Sequence, residues 1–418
     1  MIKSKHFPFI TSILGGILVW FFIFILFPAK IVSPFAKESF WFIFLSYLFL
    51  ILGYIIFPTP KTENKGFSII SKNVLYVIIM TTLISYLVRY VDLFLYRNVS
   101  FKYDVWENRR LLAAPKTNLI FIICAIFSQL YFMPIIFVLK NKIKSKKLII
   151  ISLLLFLLPF VEGYIRASRN SFFIPTVLLF IILMYFGRIR FTGKHILIIC
   201  SVFSFLFLTA TSIIMQRESS DSDANHSSFT TDFFLNEFLE PSPEVFKAIH
   251  STKNPNVKKL MVSGFQIAQY YVHGVFEFDN LVKYYQKKPI KNQYGKFTFF
   301  IINKFTNKYG FTNTNQDEVQ ATHPRILTFI TFFGGLYIDF GWLGLIVIFL
   351  YGCLQKIVSI NVFSGNSSYL PLFFFLLFCN FFMLTFNFLK GLGTYILVVC
   401  FAFILSLSLY NKLFIKNK

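Results

Sequence analysis

Uncharged apolar stretches that are long enough to cross a membrane recur along this 418-residue chain. A helix needs about 20 residues to cross the hydrocarbon core of a bilayer. Because no water reaches the backbone there, each amide and carbonyl must be bonded within the protein, and a helix does this within one segment. Six stretches have the required length, at residues 7–29, 39–60, 117–139, 170–187, 196–216 and 391–411.

Four further segments bring the expected number of spans to about ten. Residues 73–88 and 148–161 are shorter and bounded by charges, one segment follows Arg325, and another starts near Tyr369. With 56% apolar and only 14% charged residues, a soluble domain of this composition would expose large apolar patches. The sequence therefore predicts an all-α polytopic membrane protein.

One long polar stretch, residues 217–325, lies between the seventh and eighth expected spans. It divides the chain into residues 1–216 with seven spans, the large loop 217–325, and residues 326–418 with three spans. Apolar and aromatic residues at helical spacing in 232–249 and 260–285 predict that the large loop is partly helical.

Basic residues in the short loops indicate the orientation of the chain. They cluster at both termini, between spans four and five, and between spans six and seven, which all fall on one side of a ten-span chain. Because cytoplasmic loops are enriched in Lys and Arg, both termini are expected in the cytoplasm and the large loop outside. The net charge of +23 then reflects topology and does not indicate nucleic-acid binding.

Arginines on the outer side oppose this bias and need another explanation. Arg is the side chain best suited to bidentate contact with phosphate, so an anionic ligand is expected at the outer face. Alternatively, these side chains extend to lipid headgroups, and a Glu162–Arg166 pair holds a helix end. The outer candidates are Arg89, Arg166, Arg169, Arg217 and Arg325.

An acidic residue, Asp339, lies in the apolar sequence that opens the eighth span. Nearby glycines permit close helix packing or a break, and a break would let residues 326–333 re-enter the membrane from outside. Asp339 is a candidate functional group or, alternatively, a carboxylate that holds the break or pairs with an arginine. The glycines are Gly334, Gly335, Gly341 and Gly344.

The sequence predicts no cofactor and no metal site. It has no glycine-rich phosphate loop followed by Lys and Ser or Thr, and no Cys/His cluster at metal-ligand spacing. Asp221 and Asp223 match an acidic metal motif only in spelling, since they lie in a serine-rich run. The five cysteines fall within apolar spans, as small buried hydrophobic residues do.

This layout resembles the O-antigen polymerases of the Wzy type, also called oligosaccharide repeat unit polymerases. Over most of the chain the resemblance lies in the arrangement of spans, ten or more with one large outer loop late in the sequence. In addition, three local sequences are similar to stretches of that family. They are Tyr337-Ile-Asp-Phe-Gly-Trp-Leu-Gly344 with Thr331 upstream, Arg166-Ala-Ser-Arg169, and Tyr270-Tyr-Val-His-Gly274. One departure is that no glycine directly precedes the Ser-Arg pair, which puts the shape of that turn in doubt.

The resemblance implies a membrane glycosyltransferase in the inner membrane of a bacterium, with the large loop in the periplasm. Such enzymes join oligosaccharide units carried on undecaprenyl pyrophosphate, without a metal, into O-antigen or another polysaccharide. A chain-length regulator protein is then an expected partner, together with membrane lipids. An O-antigen ligase, or a flippase for lipid-linked oligosaccharides, is the alternative.

The resemblance also implies roles for particular residues. Arginines would stabilise the charge on the departing pyrophosphate, a base would accept the acceptor proton, and sugars would stack on aromatic rings. The pyrophosphate candidates are Arg166, Arg169, Arg217 and Arg325, with Arg89 as the weakest. The base candidates are His323, Asp339 and Glu240, although His-Pro at a helix start is often structural. The sugar-binding candidates are Tyr270, Tyr271, Tyr337 and Trp342.

Overall fold

The computed structural model describes residues 6–27, 29–58, 70–103, 105–113, 118–165, 168–189, 192–219, 239–325 and 329–414. These ranges contain 18 α-helices and one two-stranded antiparallel ribbon. The helices before the large loop are α1 (Phe7–Leu26), α2 (Lys37–Ile56), α3 (Lys72–Val91), α4 (Val105–Ala113), α5 (Leu119–Phe127), α6 (Met133–Lys140), α7 (Lys146–Leu154), α8 (Leu158–Ile165), α9 (Arg169–Tyr185) and α10 (Gly193–Ser219). The helices of the large loop are α11 (Pro243–Ser251), α12 (Pro255–Lys287), α13 (Phe300–Lys308) and α14 (Gln316–Ala321). The remaining helices are α15 (Phe332–Phe340), α16 (Gly344–Phe363), α17 (Leu370–Phe381) and α18 (Leu392–Phe414), and the strands are β1 (Ala29–Ile31) and β2 (Leu239–Pro241).

Within the described ranges, seven helical stretches are long and apolar enough to cross a membrane, as a helical membrane protein requires. They are Phe7–Leu26, Lys37–Ile56, Lys72–Tyr96, Leu119–Lys140, Lys146–Ile165, Phe332–Phe363 and Leu392–Tyr410. The other three expected spans correspond to shorter apolar helices, at Asn170–Tyr185, Gly193–Thr209 and Ser367–Phe381. The all-helical prediction therefore holds for the described residues, apart from the short ribbon.

Most of these long stretches are interrupted helices. A π-helical turn, Asp92–Tyr96, continues α3, and a 3-10 turn, Ser128–Phe132, joins α5 to α6. Gly341 has φ 57° and ψ −138°, a backbone conformation that glycine adopts readily, and it separates α15 from α16. The break in the eighth span thus lies at Gly341, while residues 326–328 of the expected re-entrant piece are outside the described ranges.

A close helix contact joins α2 to α16. A Cβ atom on Gly53 would overlap the carbonyl oxygen of Phe349, and one on Gly352 would overlap that of Leu50. Small residues allow this approach, and van der Waals contact between backbones is a main source of helix association in lipid. The pair anchors the N-terminal part of the chain to the part that follows the large loop.

The large loop packs on the chain that connects α1 to α2. Strands β1 and β2 pair in antiparallel register, with Lys30 opposite Glu240. On α12, an Asp279 carboxylate oxygen accepts the Ala36 amide at 2.8 Å, and the Lys283 ammonium donates to the Pro34 carbonyl at 2.6 Å. The α1–α2 connection and the large loop therefore lie at the same end of the bundle.

Candidate functional site

Two non-helical segments lie side by side beneath the large loop, at the ends of α15 and α17. The Phe332 amide donates to the Met383 carbonyl, and the Asn387 amide donates to the Ile330 carbonyl, each at 3.0 Å. All of residues 382–389 are buried in protein. Irregular backbone next to membrane spans is tolerated where it is buried in protein. These two segments therefore form a buried non-helical region, against which side chains from the large loop pack.

Asp339, on α15, connects this non-helical region to the large loop. Its fully buried carboxylate accepts the backbone amides of Phe297 and Thr298, both at 2.9 Å. Its own carbonyl accepts the Tyr294 amide at 2.8 Å. These contacts match the alternative interpretation, in which Asp339 holds local backbone next to a helix break. Its role as a base stays a prediction.

His323 follows α14 and is 93% buried in contact with Phe297, with the two ring centroids 6.1 Å apart. Burial, together with the nearby charges of Lys390 and Arg325, lowers the pKa of the imidazole to about 4. The ring is therefore neutral near pH 7 and, with so low a pKa, a weak base. The arrival of an anion beside the two cations would raise this pKa and strengthen the base.

Lys390, which was not among the sequence candidates, also contacts the ring of Phe297. Its ammonium is 3.4 Å from the centroid of that ring and donates to the Gln320 side-chain oxygen at 3.3 Å. Burial lowers the pKa of Lys390 to about 8, and the carboxylate of Asp339 opposes that shift. A signal existed in the sequence, because a single lysine between two apolar runs on the expected outer side opposes the charge bias as the arginines do.

Arg325 lies two residues after His323 and forms an ion pair with Glu277 on α12. The guanidinium Nε is 3.6 Å from a carboxylate oxygen of Glu277, which is almost completely buried. Arg325 itself is partly exposed, so one side of it remains accessible. Five ionisable residues are thus connected at the base of the large loop, and we call them the outer polar cluster: Glu277, His323, Arg325, Asp339 and Lys390.

Arg89 belongs to a separate arginine–carboxylate network at the C-terminal end of α3. It donates to Glu162 of α8 through Nη2 at 2.7 Å and lies 3.6 Å from Asp92. Asp92 is fully buried and also pairs with Arg97 at 3.2 Å. Glu162 pairs with Arg89, which lies on another helix. Arg166, the partner expected for Glu162 in the alternative interpretation, is outside the described ranges. Two carboxylates therefore compete with any phosphate for Arg89.

The other three pyrophosphate candidates lie wholly or partly outside the described part of the chain. Arg166 lies outside the described residues. Arg169 begins α9 and Arg217 lies near the end of α10, but their side chains are not among the described ones. Of the base candidates, Glu240 lies in β2 opposite Lys30, on the ribbon and not in the outer polar cluster as defined.

Two of the sugar-binding candidates face the segment between α17 and α18. Tyr270 packs against Phe329 and Phe386, with ring centroids 4.9 and 5.3 Å away. Tyr271 bonds through its side chain with Thr385, and burial raises the pKa of its phenol. Both rings are half-buried. Through Phe386 and Thr385 they contact the same non-helical segment that carries Lys390.

The other two aromatic candidates lie farther along, at α15 and the turn after it. Tyr337 packs between Phe42 of α2 and Phe278 of α12, with centroids 5.0 and 5.7 Å away. Trp342 contacts Phe42 at 5.4 Å and is 46% exposed at the start of α16. A partly exposed Trp at the end of a span is typical of a membrane interface.

Comparison of the whole chain with models of protein families, with curated proteins and with solved structures gave no match.

Proposed function

We propose that this chain is a membrane glycosyltransferase that polymerises lipid-linked oligosaccharide repeat units, as the sequence resemblance implies. The observation that carries the proposal is the outer polar cluster, which joins a neutral imidazole, His323, to two cations, Arg325 and Lys390. Partly buried cations next to a candidate base suit a transfer that releases a pyrophosphate anion. Half-buried aromatic rings, Tyr270 and Tyr271, lie along the same segment and supply surfaces for sugars.

The proposed topology has ten spans, with both termini in the cytoplasm and the large loop in the periplasm. The ribbon formed by β1 and β2 supports this count, because it restricts the number of spans between the two strands to an even number. Since the α1–α2 connection and the large loop lie at one end of the bundle, an even number of crossings must separate them. Spans two to seven of the proposed topology are six crossings, which include the shorter helices α9 and α10.

In the proposed reaction, a hydroxyl oxygen of the incoming unit attacks the anomeric carbon of the growing chain. A new carbon–oxygen bond forms while the bond from that carbon to the pyrophosphate oxygen breaks, and undecaprenyl pyrophosphate leaves. The hydroxyl proton passes to a base, for which His323 is the best placed of the three candidates. Arg325 and Lys390 would stabilise the charge that develops on the leaving oxygen. Arg169 and Arg217 remain proposed contacts of the same anion.

An O-antigen ligase is the second candidate, because it would use the same donor and the same leaving group. The buried position of His323 beside Arg325 in the large loop suits that transfer equally well. The two functions differ only in the acceptor, which is a sugar hydroxyl of a repeat unit in one case and of a lipid A core in the other. The glycan that accumulates without the protein therefore separates them.

Deletion of the gene, followed by gel analysis of lipopolysaccharide, tests the proposal. A polymerase predicts a core that carries one repeat unit and no ladder. Loss of all O-antigen would instead indicate the ligase or a flippase. An unchanged ladder would contradict both transferase proposals for this glycan.

Complementation of that strain tests the residues. Lys390→Met and Arg169→Ala are each expected to remove the ladder at unchanged protein level, since loss of one group that stabilises a developing anion costs roughly 100- to 1,000-fold in rate. Arg110→Gln is the matched control, because Arg110 is exposed and pairs with Glu107 on α4. A normal ladder with Lys390→Met would remove Lys390 from the proposed mechanism.

A further inference from the structure

The part of the large loop that follows α12 is strongly basic. Between Asp279 and Asp317 the sequence has seven lysines and no acidic residue. Five of these lysines are exposed, namely Lys287, Lys288, Lys291, Lys304 and Lys308. On the expected outer side of a membrane such a concentration of lysine opposes the usual charge distribution, so a separate role is needed to explain it.

Exposed apolar side chains accompany these lysines on and around α13. Ile302 lies on α13 and Tyr309 follows the last residue of that helix, and both are exposed. Tyr294 is 67% exposed and Phe311 76% exposed. We call the following residues the α13 surface: Tyr294, Ile302, Lys304, Lys308, Tyr309 and Phe311.

The α13 surface adjoins the outer end of a candidate membrane-spanning helix. The Tyr294 amide donates to the Asp339 carbonyl at 2.8 Å, close to the end of α15. The next turn of chain presents Trp342 and Leu343, which are 46% and 62% exposed. Exposed Trp and Leu at the start of a span lie where lipid headgroups meet the hydrocarbon core. Tyr294 is thus held at about the level of the headgroups.

We propose that the α13 surface docks on anionic phospholipid in the leaflet beside it. The exposed aromatic and aliphatic side chains would enter the interface. The lysines, which lie on a different face of α13 from Ile302, would extend along the helix surface to the phosphates, as in amphipathic helices that lie on membranes. The apolar residues favour lipid over a soluble polyanion, which would leave them in water. Docking fixes the large loop relative to the bilayer and does not depend on the reaction that the protein catalyses.

Hydrogen exchange of the full-length protein in lipid nanodiscs tests this docking. Amides of residues 300–311 are expected to exchange several-fold more slowly in discs of phosphatidylcholine mixed with phosphatidylglycerol than in phosphatidylcholine alone. Each basic residue near an anionic leaflet strengthens binding roughly fivefold, so the double variant Lys304→Gln/Lys308→Gln should weaken docking about 25-fold and remove the lipid dependence. High salt should act in the same direction.

The matched control is Lys142→Gln/Lys144→Gln, which removes two exposed lysines from the loop between α6 and α7 and should retain the lipid dependence. Equal exchange of residues 300–311 in both kinds of disc would overturn the proposal. So would a lipid dependence that survives in the Lys304→Gln/Lys308→Gln variant with an unchanged Tm. Protection by heparin but not by phosphatidylglycerol would assign the surface to a soluble polyanion instead.

Discussion

Substitution of Asp339 by Asn separates a structural role of this carboxylate from a catalytic one. The carboxylate accepts two backbone amides at 2.9 Å, from Phe297 and Thr298. Asn keeps one acceptor oxygen and turns an NH2 group toward the other amide, so one hydrogen bond is lost and the second loses its charge. Hydrogen bonds to charged groups contribute about 1.5–3 kcal/mol, which makes the expected loss about 2–4 kcal/mol.

Thermal unfolding of the purified protein in detergent measures this loss. A decrease in Tm on the order of 5 °C is expected for Asp339→Asn, with a proportional decrease in glycan synthesis. Asp317→Asn is the matched control, because Asp317 is an exposed residue in the first turn of α14 and should change Tm by much less. If Asp339→Asn keeps the Tm of the wild type but abolishes chain extension, the structural interpretation is refuted and Asp339 acts in the chemistry.

Three further predictions concern packing, charge and pH. Gly274→Ala should lower both Tm and activity, because its Cβ would press on the backbone between α17 and α18, whereas Gly264→Ala on the same helix meets only a side chain and should be tolerated. Glu162→Gln should destabilise the protein by roughly 1–3 kcal/mol in chemical or thermal unfolding, since Arg89 loses a carboxylate at 2.7 Å. The lowered pKa of His323 means that neutral imidazole is favoured by folding, so its contribution to stability is complete above about pH 6.5 and is lost as the pH falls toward 4. His323→Gln should therefore show a smaller decrease in Tm between pH 7 and pH 5 than the wild type, and an identical decrease would contradict the burial of this ring.

The helices were predictable because lipid imposes a simple rule on sequence. Uncharged runs of spanning length had to become helices, and the ends of α1 and α18 lie within a few residues of the predicted ones. The interruptions were harder to predict. Gly341 was one of four glycines at which a break was possible, and only packing around α15 selected it.

The outer polar cluster was predictable in part, from His323, Arg325 and Asp339. Glu277 was missed because its importance depends on contacts between segments that are distant in sequence. The ion pair between Arg325 and Glu277 requires α12 to lie against the end of the large loop, which no local pattern indicates. For Lys390 the charge rule applied to the arginines would have sufficed.

The arginine–carboxylate network around Arg89 shows a case in which the charge rule was misleading. Positive charge at the expected outer end of α3 suggested a phosphate site, but Arg89 pairs with Asp92 and Glu162 in the described structure. Arginines in a sequence indicate an anion-binding site only if neighbouring carboxylates in the fold do not already pair with them. The proposed anion contacts therefore rest more on Arg325 and Lys390 than on Arg89.

Reconstitution of the purified protein tests the central claim most directly. The lipid-linked repeat unit, extracted from the deletion strain, would be incubated with the protein in liposomes, without nucleotide or lipid A core. The account predicts a ladder of products that differ by one repeat unit, with release of undecaprenyl pyrophosphate, and no ladder with Lys390→Met. A protein that leaves the repeat unit unextended in this assay, yet transfers it once lipid A core is added, would contradict the polymerase and identify a ligase.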